Sequence, residues 1–79
     1  MSAVEFKATL QMLVPMVVSE MNRRFGLSEN EAIPALYSSS LYSRLEHEET
    51  KLWHLSPLAL AELWDEERRT GKIVYPEEA

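Results

Sequence analysis

Residues 2–26 read SAVEFKATLQMLVPMVVSEMNRRFG, and this stretch decides the fold. Ser2 followed three residues later by Glu5 is a capping box, which predicts the start of a helix. Gly26 predicts its end. Between them, apolar residues recur at helical spacing and define the side that would face a core: Phe6, Leu10, Leu13, Val14, Val17, Met21 and Phe25. The pattern predicts a first helix over residues 3–25.

Two features of this helix depart from a simple amphipathic pattern. Pro15 lies in its interior, where it removes one backbone hydrogen bond, so the sequence predicts a kink between Gln11 and Pro15. Met12 and Met16 fall outside the core-facing stripe. Either other helices of the same domain cover them, or they contact a second copy or a different protein, since methionine adapts to irregular surfaces.

A second and a third helix are predicted after the first glycine. Ser28 and Glu31 form another capping box, and Pro34 lies in the second turn of the helix that this box starts. The serine run at 38–40 predicts a break before a short helix around residues 41–45. These two helices could also run together as one bent helix.

The last helix has clear signals at both ends. Ser56 is its cap, Pro57 is its first residue, and Gly71 is its stop. Together the four segments predict an all-α fold, a small bundle of about four helices with a kinked first helix, in a single domain over residues 1–79.

Two segments outside the helices have extended character. Thr50, Leu52 and Trp53 favour an extended or turning path before the last helix, which predicts a loop with a possible strand of two or three residues. Residues 72–75 have the composition of a strand. The two segments could form a minor two-stranded β pairing supported by helix packing.

The charge of the chain works against nucleic-acid binding. The formal net charge is −5, and residues 41–79 carry −4 of it. Phosphate contacts require clustered Lys and Arg, whereas the only adjacent basic pairs are at 23–24 and 68–69. An acidic surface suits a basic protein partner better.

Cysteine content and hydropathy limit where the protein could act. The chain has no cysteine, so a disulfide-stapled secreted scaffold is excluded and the cytoplasm is the expected compartment. The longest apolar run, residues 10–18, is far shorter than the roughly 20 residues that span a bilayer. We expect no membrane association.

The residues that carry chemistry do not form a recognisable catalytic or metal-binding pattern. His47 and His54 are seven residues apart, whereas a helical zinc site needs a spacing of four. Gly26 and Gly71 are the only glycines and serve as helix stops, which excludes a Gly-rich phosphate loop. The sequence therefore predicts no catalytic residue, no metal, no cofactor and no enzymatic activity.

The aromatic residues divide into core and surface candidates. Tyr37 and Trp64 are expected to pack internally. Trp53, on the irregular segment, is the ring that best fits a partner anchor. The predicted protein-interaction face combines this ring with the outward methionines and one tyrosine: Met12, Met16, Tyr42 and Trp53.

Residues 32–67 resemble a group of short bacterial proteins of unknown function that are encoded beside toxin-like genes in toxin-antitoxin-type operons, where some of the enzymes resemble ADP-ribosyltransferases. The likeness is carried by Leu36-Tyr37-Ser38-Ser39, Leu41-Tyr42, Leu45, Glu48 to Trp53, Ser56-Pro57, Leu60, Glu62-Leu63 and Glu66. Pro15 and Pro34 depart from the pattern of that group. The resemblance implies a small accessory or antitoxin-like protein.

Two functional hypotheses follow. The first is a protein-binding accessory or antitoxin-like component without catalytic activity, whose partner is a toxin-like enzyme and which could form a homodimer through the first helix. The alternative is a DNA-binding repressor subunit of a toxin-antitoxin-like operon, which would gain a basic surface only on dimerisation.

Overall fold

The computed structural model describes residues 2–72, and its longest element is helix α1, Ala3–Phe25. The backbone N–H of Ser2 donates to the Glu5 carboxylate at 2.8 Å, and the Ser2 Oγ accepts from the Glu5 N–H at 3.1 Å. Gly26 ends the helix in the left-handed conformation, with φ 74°. The predicted bounds are confirmed. Pro15 does not divide α1 into two helices, and the kink expected there stays a prediction.

Helices α2, Glu29–Tyr37, and α3, Ser40–Leu45, are separate. The Ser39 hydroxyl donates to the Leu36 carbonyl at 2.6 Å and also accepts from the Tyr42 N–H at 3.0 Å. One side chain thus caps the end of one helix and the start of the next, which is the role that short polar residues play where helices break. The alternative of a single bent helix is wrong.

The segment between α3 and the last helix is not extended, which corrects the prediction of a strand near Thr50. It forms two 3₁₀ turns, Glu48–Thr50 and Leu52–His54. The Thr50 hydroxyl shares its one proton between the carbonyls of Arg44 and His47, and this hydrogen bonding stabilises a local turn. Leu52 is buried in the core and draws the chain inward. The other half of the proposed β pairing, residues 73–75, lies outside the described residues.

Helix α4 is Pro57–Thr70. The Ser56 hydroxyl accepts from the N–H of Ala59 at 3.1 Å, Pro57 occupies the first turn, and Gly71 ends the helix with φ 76°. Its predicted bounds are confirmed.

Side chains from all four helices meet in one core, where α1 packs chiefly against α4 and α2. Residues 2–72 form an all-α small bundle of four helices, as predicted. Among residues 2–72, no helix has the length and apolar character needed to cross a membrane. The largest fully buried side chains are Val17, Met21, Leu36, Leu41, Leu45 and Leu60.

Candidate protein-binding surface

Helix α1 turns apolar side chains to solvent on the side opposite the core. Val4, Met12 and Met16 are 79%, 70% and 50% exposed. Ala8 lies between Val4 and Met12, so the four residues follow one another at intervals of four. Side chains at this spacing are neighbours on the helix surface and form one row that winds slowly around the helix. We call Val4, Ala8, Met12 and Met16 the outer face of α1. Of the two interpretations that the sequence left open for the methionines, coverage by the helices of the same chain is excluded among the described residues.

Charged residues lie near the two ends of α1, on the side of Met12 and Met16. Glu5 lies near the start of α1, and hydrogen bonds from the backbone and side chain of Ser2 lower its pKa. Arg23 lies near the end of the helix and forms an exposed ion pair with Glu20, with 2.6 Å between Nη2 and Oε1. The start of this side of α1 therefore carries a negative charge, whereas its end carries the Arg23–Glu20 ion pair.

A shallow groove borders this face on the side of α2. Its volume is about 250 Å³, and it is lined by Pro15, Val18, Ser19, Asn22 and Glu29. Pro15 and Ser19 are exposed. Three of the five lining residues, Ser19, Asn22 and Glu29, are polar, so the groove forms a more polar border to the outer face.

Tyr42, another predicted interaction residue, lies in a different environment. It is half-buried and its ring meets the ring of Tyr37 edge to face, with 4.6 Å between the centroids. Burial, together with the nearby Tyr37 and Glu46, raises the pKa of Tyr42. Its hydroxyl is therefore neutral at physiological pH.

Tyr37 was expected in the core, and this is wrong: it is 50% exposed. Ile33, one turn earlier on α2, is 41% exposed and was not singled out in the sequence. The residues of α2 that are buried in the core are Ala32 and Leu36. They lie four residues apart, on the apolar stripe next to that of Ile33 and Tyr37. The spacing alone could not decide between these two apolar stripes of α2.

Trp53 makes intramolecular contacts on three sides. Its Nε1 donates to the Glu48 carbonyl at 3.0 Å. Its ring meets Phe6 edge to face at 6.3 Å between centroids and stacks on His54 at 3.9 Å. Phe6 is a buried residue of α1. The half-buried Trp53 thus fastens the 3₁₀ turns to the first turns of α1, away from Met12 and Met16.

Of the predicted interaction residues, the structure brings together Met12 and Met16. Tyr42 lies beside Tyr37, and Trp53 lies beside Phe6. The idea that all four contribute to one interface stays a prediction, and the outer face of α1 is the part with uncovered apolar surface.

The arginines that could contact phosphate groups are engaged with carboxylates. Arg24 pairs with Glu62 at 3.4 Å. Arg68 and Arg69 both donate to Asp65, at 2.7 and 2.9 Å. Partial burial raises the pKa of Asp65, but these two hydrogen bonds outweigh the burial and hold it below its ordinary value.

The histidines and their acidic neighbours do not converge. His47 is exposed, with its Nδ1 3.7 Å from Glu49. His54 is occupied by the stack on Trp53. Within residues 2–72, no group of three or more His, Cys, Asp or Glu side chains is arranged to hold a metal ion.

An open cleft of about 260 Å³ lies between the end of α2 and α4, lined in part by Ala35, Ser39, Trp64 and Glu67. The Glu67 carboxylate is already committed to two backbone N–H groups of α3. The cleft therefore offers little polar chemistry that is not used within the chain.

Comparison with known proteins gave no match to a protein-family model, a curated protein or a solved structure.

Proposed function

We propose that this protein is a protein-binding accessory or antitoxin-like component that has no catalytic activity of its own. The observation that carries the proposal is the outer face of α1, whose side chains at Val4, Met12 and Met16 are uncovered by the described part of the chain. Contiguous exposed apolar surface on a soluble domain is typical of protein interaction sites. Methionine suits such a site because its flexible, polarizable side chain adapts to the partner surface.

The distribution of charge supports a second contact, with a basic partner. Helix α1 holds two acids and three bases, a charge of +1, so the rest of the chain carries −6. A field of that sign attracts a basic surface and raises the rate of association. The resemblance of residues 32–67 to proteins encoded beside toxin-like genes suggests a toxin-like enzyme as that partner, met in the cytoplasm.

The ion pairs of the arginines count against the DNA-binding alternative. Arg23, Arg24, Arg68 and Arg69 each have a carboxylate partner on the same chain. A phosphate group would have to compete with these carboxylates, and the phosphate contribution to DNA affinity would fall accordingly.

The experiment is co-expression of the tagged protein with the products of its neighbouring genes, followed by affinity capture and mass spectrometry. We expect a neighbouring gene product to be recovered with the wild type in stoichiometric amount, and more weakly at high salt, because surface charge attraction is screened. Recovery of no neighbouring product would contradict the proposed function.

A further inference from the structure

We propose that the occupant of the outer face of α1 is a second copy of this chain, packed antiparallel about a two-fold axis at the level of Val14. The inference rests on the proposed function, because it assumes that this face binds protein. It adds the identity of the partner and the register of the contact.

The register follows from the positions of two apolar and two charged residues of α1. Met12 and Met16 are equidistant from position 14, and so are Glu5 and Arg23. Glu5 and Arg23 are 18 residues apart, which is five turns of a regular α-helix, so they lie on the same line about 27 Å apart. That line runs between Met12 and Met16, which lie to either side of it.

A two-fold axis at position 14 satisfies the apolar and the charged pairs together. In an antiparallel pair it places Met12 opposite Met16 of the other copy, twice. It also places each Glu5 opposite the Arg23 of the other copy, whose guanidinium already pairs with Glu20 of its own chain. The Glu5 carboxylate would join that ion pair at each end of the contact. An interface with this symmetry is self-complementary, as closed dimers require.

The charges also select the antiparallel arrangement over a parallel one. Parallel packing of the same face would set Glu5 against Glu5, and like charges in such a position are destabilising. Ala8 and the exposed Ser19 lie beside the methionines, and both are small enough to let two helices approach closely.

The charge of α1 allows two copies to approach on this side. With a charge of +1, the helix contributes little repulsion, whereas the described residues that follow it, 26–72, hold nine acids and five bases, a charge of −4. A dimer formed through α1 leaves that acidic surface open to a basic partner. The two contacts are then compatible on one protein.

Multi-angle light scattering over a dilution series tests the oligomeric state. We expect a dimer for the wild type and a monomer for the double variant Met12→Glu, Met16→Glu. Ile33→Glu is the matched control, since it places the same charge at another exposed apolar position on a helix, and it should remain a dimer. Because Met and Glu have similar helix propensities, circular dichroism should show all three proteins folded.

Disulfide trapping tests the register, and the absence of native cysteine makes it clean. Oxidation of a mixture of Met12→Cys and Met16→Cys chains should give mainly the mixed disulfide dimer. A predominance of Met12→Cys or Met16→Cys homodimers would indicate a parallel contact and overturn the proposal.

The ion pairs have a separate test. Glu5→Gln keeps the capping-box geometry but removes the charge. It and Arg23→Gln should each weaken the dimer by about 2- to 20-fold, since each removes two rim ion pairs. The double variant should be hardly weaker than either single variant. Additive effects would show that the two residues do not meet.

The failure of this inference is distinguishable from failure of the proposed function. Suppose that the wild type is monomeric at all concentrations, and that a neighbouring gene product is no longer captured when Met12 and Met16 are replaced by Glu. This result would contradict a second copy as the occupant of the outer face but would support the proposed protein-binding function. A wild type that forms the dimer but captures no neighbouring gene product would support the second copy as occupant and contradict the proposed accessory function.

Discussion

The carboxylate of Glu67, on α4, accepts a hydrogen bond from the backbone N–H of Ser40, at the start of α3 and 27 residues earlier in the chain, at 2.8 Å. Its other oxygen accepts from the N–H of Leu41 at 3.0 Å. The first N–H groups of a helix have no partner within the helix, and a negative charge is stabilising there. The Glu67 side chain therefore caps the N-terminus of a six-residue helix that has little stability of its own.

Replacing Glu67 by Ala should lower the free energy of unfolding by about 1–2 kcal/mol, because two helix N–H groups lose a charged acceptor. The matched control is Glu62→Ala on the same helix, whose exposed pair with Arg24 should be worth less than about 0.5 kcal/mol. Urea unfolding followed by circular dichroism gives both values. Equal losses for the two variants would contradict this role of Glu67.

Lys51, between the two 3₁₀ turns, has φ 58° and is the only described residue other than glycine with a positive φ. A side chain in this conformation costs about 1–2 kcal/mol relative to glycine, and a β-branched one is the least tolerated. We expect Lys51→Gly to leave stability unchanged or raise it by up to about 1 kcal/mol, and Lys51→Val to lower it by about 1–2 kcal/mol. Thermal unfolding of the pair measures the difference. Equal melting temperatures would show that the backbone here is not held in this region.

The two capping boxes make stability depend on acid pH. Hydrogen bonds from Ser2 and Ser28 lower the pKa of Glu5 and of Glu31 in the folded protein. A group whose pKa is lowered by folding contributes stability above its unfolded pKa, and that contribution is lost as the pH falls through the folded value. The free energy of unfolding should therefore fall as the pH drops below about 4.5, the ordinary pKa value for a glutamate.

Glu5→Gln with Glu31→Gln keeps both capping boxes but removes their titration. This double variant should lose less stability than the wild type between pH 5 and pH 3, on the scale of those two pKa shifts, in chemical unfolding at a series of pH values. The Glu62→Gln control should follow the wild type. If the double variant lost as much stability as the wild type between pH 5 and pH 3, groups other than Glu5 and Glu31 would cause the pH dependence.

Sequence reasoning predicts the helix bounds in this protein because the signals are local. Ser2 with Glu5, and Ser56 with Pro57, act within one helical turn, and each start is observed where the pattern predicts it. The break at Ser39 is equally local, since its hydroxyl bonds to residues three positions away on either side.

The sequence failed where contacts distant in the chain decide the structure. Glu67 caps α3 across 27 residues, which no spacing rule contains. Tyr37 was expected to be buried because aromatic rings usually are, but α2 turns its Leu36 stripe to the core instead. The candidate site shows the same difference between local and distant contacts. The helical periodicity of α1 predicted that Met12 and Met16 lie outside its core-facing stripe. The packing of Trp53 on Phe6 depends instead on how the 3₁₀ turns pack against α1, which no local pattern contains.

Trp53 provides the last prediction, because it separates a structural role from a binding role. The Nε1 bond to the Glu48 carbonyl is lost in Trp53→Phe, while an aromatic ring is kept against Phe6. We expect this variant to lose about 0.5–1.5 kcal/mol of stability, the usual net value of one hydrogen bond. Below its melting temperature it should remain a dimer and capture the same partner as the wild type, because Trp53 anchors the 3₁₀ turns and lies off the outer face of α1. Light scattering and affinity capture of the folded variant check both points. A loss of partner capture with unchanged stability would instead identify Trp53 as an interface anchor.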